Sequence, residues 1–160
     1  MKTLTITILG FLFLAACTFV DKPVTDEEKE QIKMEVTQIF NHLLDEMEAL
    51  NFEGFVNYNQ FDEKYSTIMD GVISIGGDVA KEMFKGSFEY IKEFLYADMT
   101  ETHFDVLDRN VVQVMGSFDE AYVTMTGDTL KVKGTGSYIF KLFETDWKLI
   151  HLSAWHHAVE

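Results

Sequence analysis

The apolar residues of this chain change period once, from 3.6 to 2, near Thr100, and that switch limits the fold more than any other feature. Before it, Ile32, Val36, Ile39, Phe40, Leu43, Met47 and Leu50 recur at intervals of three and four, the stripe of a helix of roughly 25 residues. The helix opens on T25-D-E-E28, a capping box with acidic residues in the first turn, where the helix dipole favours them. N51-F-E-G-F-V-N-Y58 reads as a turn and a short second helix, K64-Y-S-T-I-M69 as a strand, and D70-G-V-I-S-I-G-G77 as a segment of turn signals. Asp78 caps a third helix reaching about Tyr96, with Val79, Met83, Phe84, Phe88, Ile91 and Leu95 inward. After the switch come five β-branched and aromatic stretches: 100–107, 111–118, 121–126, 130–143 and 147–155. The links D108-R-N110, D119-E120, G127-D128 and E144-T-D146 are short enough to join antiparallel neighbours. Helices followed by a strand meander predict an α+β domain, three helices on one face of a strongly curved antiparallel sheet. Gly134 and Gly136 mark the expected bend or bulge.

At 160 residues, 47% of them apolar, the chain is expected to form a single core. A net charge of −14 offers no basic surface to a phosphate backbone, so nucleic acid is not an expected partner.

The first residues form a separate unit. Lys2, an apolar run from Leu4 to Leu14 and then L14-A-A-C17 have the build of a secretory signal, the run falling short of the roughly 20 residues of a membrane-spanning helix. L14-A-A-C17 resembles the lipobox of bacterial lipoproteins. The resemblance implies cleavage before Cys17, acylation of its thiol and new amine, and export to the cell envelope, with the bilayer as partner. Thr18 after the cysteine does not resemble an inner-membrane retention signal, which leans towards the outer membrane where the host has one. The expected division is residues 1–16 signal peptide, 17–24 tether and 25–160 folded domain.

The order of elements, with A49-L-N-F-E-G-F-V56, M69-D-G71 and the closing G136-S-Y-I-F-K-L-F-E-T-D-W-K-L-I-H-L-S153, resembles the nuclear transport factor 2-like superfamily, and within it the SnoaL-like group. The resemblance covers about Thr25 to Trp155. It implies a cone-shaped domain with a pocket between sheet and helices, and dimerisation through the exposed sheet face. Members include isomerases, dehydratases and cyclases as well as binding and assembly domains, so fold alone leaves the function open.

In the ketosteroid-isomerase-like members an aspartate ending the first strand is the general base, and Asp70 falls at that place. The chain departs from that pattern where the first helix carries Glu46 in place of a tyrosine. Asp70 before Gly71 is equally a turn residue. His103 and Asp105, two apart on one strand face, have the spacing of a base and its orienter. Tyr65, Tyr122 and Tyr138 alternate so that each ring can face inward. No phosphate loop, nucleophile setting or ligand cluster appears, so no cofactor and no metal are expected.

The chain closes on W147-K-L-I-H-L-S-A-W-H-H157. With an unbroken period of 2, Trp147, Leu149, His151, Ser153, Trp155 and His157 share one face, and the adjacent His156 and His157 point apart. The resemblance implies a polar side chain against the pocket at the position of His151, on the central strand, with Ser153 and Trp155 flanking it. Two functions stay open. One is an envelope lipoprotein whose domain, without catalysis, holds a small apolar ligand, a peptide or its own twin in the pocket or on the open sheet face. The other is an acid–base enzyme using Asp70 or the His103/Asp105 pair. The departures from the isomerase pattern favour the first.

Overall fold

The computed structural model of the protein describes residues 23–159, so the expected signal peptide, Cys17 and most of the expected tether lie outside the described residues. Thr25 opens α1 (Asp26–Glu48) with both halves of the capping box in place, Glu28 N–H donating to Thr25 Oγ1 and Thr25 N–H to Glu28 Oε2. Arg109 fixes the same end, donating to the Glu28 carboxylate at 3.1 Å and to the Pro23 carbonyl at 3.3 Å. Val36, Phe40 and Leu43 are the buried stripe of α1. Asn51 caps α2 (Phe52–Asn57) by accepting from Gly54 N–H.

β1 (Ser66–Met69) and β2 (Val72–Ile75) form a hairpin, so the turn signals of residues 70–77 enclose a strand that the expected order lacks. Asp70 and Gly71 both have positive φ, the backbone of a tight two-residue hairpin. α3 (Gly77–Tyr90) starts at Gly76 without a side-chain cap, so Asp78 does not cap it. It also ends earlier than expected. From Ile91 the chain is strand, pairing Ile91 with Thr124 and Phe94 with Tyr122, and Leu95 and Val79 are exposed rather than inward. Ile91, Phe94 and Leu95 fit a helical stripe as well as a β-rich run, and the partner strand decides between them.

β3 (Ile91–Asp108), β4 (Val111–Thr124), β5 (Thr129–Phe143) and β6 (Asp146–Ala158) complete the second half. Asp119 and Glu120 are not a link. They lie inside β4, paired on one side with Asp98 and Ala97 and on the other with Lys133 and Val132. The sheet has six strands in the order β2-β1-β6-β5-β4-β3 and is mixed, not purely antiparallel, because β1 runs parallel to β6. It is curved, and the helices cover its inner face. There Phe40 of α1 packs edge-on against Tyr138 and Phe140 of β5, with ring centroids 4.9 and 6.2 Å apart.

Gly134 and Gly136 hold no extra residue, since β5 pairs through them with β4 in unbroken register. They make room instead. A Cβ at Gly134 would strike the Phe118 ring and the Trp155 carbonyl, and one at Gly136 would stand 2.8 Å from the Tyr138 ring. The irregularity of β5 lies in its other pairing, with β6: Ile139 pairs with His151 and Phe140 with Leu149, leaving Ile150 as a bulge in β6.

Candidate functional site

The bulge at Ile150 reverses the alternation of β6. Trp147 and Leu149 are buried before it, Leu152 and Ala154 after it. The inward position expected for His151, Ser153 and Trp155 is therefore corrected: all three point to the outer face, and His156 turns inward instead.

A cavity of about 460 Å³ lies between the last turns of α1, the second half of α3 and the inner face of the sheet. Its walls are mainly apolar, with Met47, Met69, Met83 and Met99 among phenylalanines. Such a lining suits a small apolar molecule and adapts to its shape, because thioether side chains are flexible and polarisable. The ionisable side chains among the lining residues are Asp70, Asp98, Glu120 and His156 with Tyr90, Tyr122 and Tyr138.

Asp70 and His156 meet at this cavity. The Asp70 carboxylate accepts from the His156 backbone N–H at 2.7 Å and lies 3.1 Å from His156 Nδ1. The hairpin turn aims the Asp70 side chain while its own N–H donates to the Ala154 carbonyl, fastening the end of β1 to β6. Partial burial alone would raise the Asp70 pKa, but the hydrogen bonds and charge of His156 outweigh it and hold the carboxyl below its ordinary value. An ionised Asp70 makes Nδ1 the protonated nitrogen, which leaves the Nε2 lone pair as the base of the neutral ring. Phe118 packs against that ring at 5.1 Å between centroids and limits its rotation.

Glu120 is the second acid. Half-buried on β4 between Phe118 and Tyr122, it has its pKa raised by burial, against the opposing pull of His156. Burial also raises Tyr122, and pushes Tyr138 up to about 12, with Glu120 adding to both. Tyr122 and Tyr138 thus stand at the cavity as expected. Tyr65 does not. Fully buried, it donates from its hydroxyl to Asn59 Oδ1 at 2.7 Å, and Asn59 Nδ2 donates to the Phe55 carbonyl, a bridge between α2 and β1.

The remaining candidates lie elsewhere. His103 and Asp105 are exposed on β3, outside the cavity, with no hydrogen bond or ion pair joining them. His103 shares a shallow hollow on the outer face with Ser153 and Trp155. His151 is half-buried, its Nδ1 2.8 Å from Ser66 Oγ, and desolvation lowers its pKa. His156 and Glu120 are the site residues that sequence reasoning missed. One was hidden by the bulge, the other by reading Asp119-Glu120 as a turn, although that pair lacks the glycine a tight hairpin wants.

No protein family and no curated protein matches the chain in sequence. Its structure is nevertheless similar to solved ones. A nuclear transport factor 2-like superfamily protein from Salmonella enterica serovar Typhimurium is 15% identical, with 82% of this chain and 94% of that one covered at a TM-score of 0.70. A putative scytalone dehydratase from Novosphingobium aromaticivorans is 8% identical, with 85% and 89% covered at 0.72. The hexachlorocyclohexane dehydrochlorinase LinA-type3 from Novosphingobium barchaimii is 9% identical, with 84% and 94% covered at 0.68. Likeness at such identities speaks for architecture and not for chemistry. The chain has the nuclear transport factor 2-like fold.

Proposed function

We propose that the cavity binds a small, largely apolar molecule and that His156, oriented by Asp70, removes a proton from it. The observation that carries this reading is the contact between the Asp70 carboxylate and His156 Nδ1 at the wall of an otherwise apolar cavity. A base needs its second nitrogen free and its tautomer fixed, and the Asp70 contact supports both. Two of the similar structures carry the names dehydratase and dehydrochlorinase, reactions in which a proton and a leaving group depart together, so elimination is the first class to assay. The test uses a panel of small ring compounds bearing a hydroxyl or halide beside an acidic C–H bond. Turnover by the wild type should fall at least about a hundredfold in His156→Gln, the lower end of what a positioned base contributes. Binding of the panel without turnover would leave a carrier in place of an enzyme.

The chain is further proposed to work at the envelope, held by acyl groups on Cys17. Palmitate labelling that is lost in Cys17→Ser, with release of the protein from membranes, supports this; labelling that persists refutes it. For the outer sheet face the proposed occupant is a second copy. Ile73, Ile75 and Trp155 lie exposed there without a charge among them, on a protein that is otherwise strongly acidic. A monomeric mass by light scattering refutes it.

A further inference from the structure

The charge around the cavity has one prevailing sign. Among the described residues that line it stand three carboxyl groups, those of Asp70, Asp98 and Glu120, against one imidazole and no lysine or arginine. Whether His156 is neutral or is protonated and paired with Asp70, the sum stays negative. The lysine across the ladder does not offset it. Lys133 lies opposite Asp119 and ion-pairs with it at 2.8 Å, and because neighbours on a strand point to opposite faces, that pair stands on the other side of the sheet from Glu120. Nor do the carboxyl groups converge as metal ligands would, since no cluster of three or more His, Cys, Asp or Glu side chains among the described residues could hold an ion. Aromatic rings wall the space instead. Phe118 and Tyr122 flank Glu120 on the same face of β4, and Phe94 meets Tyr122 edge-on with centroids 5.8 Å apart.

We propose that the cavity takes an organic cation, an apolar ring compound bearing one protonated amine, with its ammonium beside Glu120 and Asp98 and its hydrocarbon against the methionine and phenylalanine walls. An ammonium that leaves water for an apolar cavity loses its hydration, and opposite charge and ring faces are what replace it. Both are present here. Asp98 follows Ala97, the residue opposite Glu120 across the β3–β4 ladder, so the two carboxyl groups occupy neighbouring positions of the wall. Burial raises the Glu120 pKa with only His156 opposing it, the behaviour of a carboxylate short of counter-charge, and an ammonium beside it supplies one. The whole body acts in the same direction, because a cleft in a protein of net charge −14 concentrates cations and repels anions.

The choice of a cation rests on the cavity reading above, though not on the base role of His156, and three probes of one skeleton separate the two. Indane is apolar, 2-indanol adds a neutral hydrogen-bonding group, and 2-aminoindane carries an ammonium at neutral pH. Calorimetric titration of the wild type should show all three binding, with the amine about tenfold tighter than the alcohol and displaced by indane from a single site. Glu120→Gln and Asp98→Asn should each weaken the amine by roughly three- to tenfold. Indane should bind both variants as it binds the wild type, which also reports that they are folded. An amine no tighter than the alcohol, an amine that indane does not displace, or an undiminished preference in the double variant would each overturn the cation and leave the cavity reading standing. Failure of all three probes to bind the wild type would overturn the cavity reading, and the cation with it.

Discussion

At the scale of single residues, the site depends on side chains that serve two purposes. Asp70 is a turn residue with positive φ and also the clamp on His156, a role that the alternatives of turn residue and general base did not include. Replacing it by Asn keeps the turn but removes a charge-assisted bond, which should cost about 1 kcal/mol at neutral pH. The sign of the pH effect follows from its depressed pKa. Stability from Asp70 is present above its ordinary value of 3.8 and is lost as pH falls through the lower folded value. Urea melts of wild type and Asp70→Asn should therefore converge below pH 4. Gly134 is equally constrained: Gly134→Ala places a methyl group against the Phe118 ring and the Trp155 carbonyl, and should destabilise by roughly 1–3 kcal/mol in the same assay. Composition and spacing drew attention to Gly134 but gave the wrong reason, because which ring leans over a glycine depends on the neighbouring strand.

Among the elements, those governed by local chemistry were legible and those governed by partners were not. The α1 helix could be read from its capping box and stripe, and both ends of β5 and the start of β6 from their turns. The end of α3 at Tyr90 and the continuity of β4 through Asp119 and Glu120 follow from strand pairing, which no local signal encodes. The Ile150 bulge is the costliest omission, since one unpaired residue decides whether His151 or His156 meets the cavity. Deleting Ile150 should restore the simple alternation and drive either the polar outer residues inward or the core residues out. The expected outcome is a loss of most of the cooperative melting transition, read by near-ultraviolet circular dichroism. A deletion variant that melted like the wild type would show that β6 tolerates a slipped register.

For the molecule as a whole, the α+β class was legible from one change of period. The parallel pairing of β1 with β6 was not, because it joins segments more than 80 residues apart through a hairpin that the turn signals concealed. Charge acts at this scale too. A body of net charge −14 repels itself, so added salt should raise the melting temperature by a few degrees at neutral pH and less near pH 4.6, the isoelectric point. Calorimetry in 20 and 500 mM sodium chloride, roughly 20 and 4 Å of screening length, checks this. The clamp of Arg109 on Glu28 and the Pro23 carbonyl fastens the first described residues to the start of α1. It grips the first turn of α1, a helix about 35 Å long, whereas Leu43, Leu44, Met47 and Leu50 at the far end line the cavity. The described chain thus begins at one end of α1, and the residues that line the cavity stand at the other.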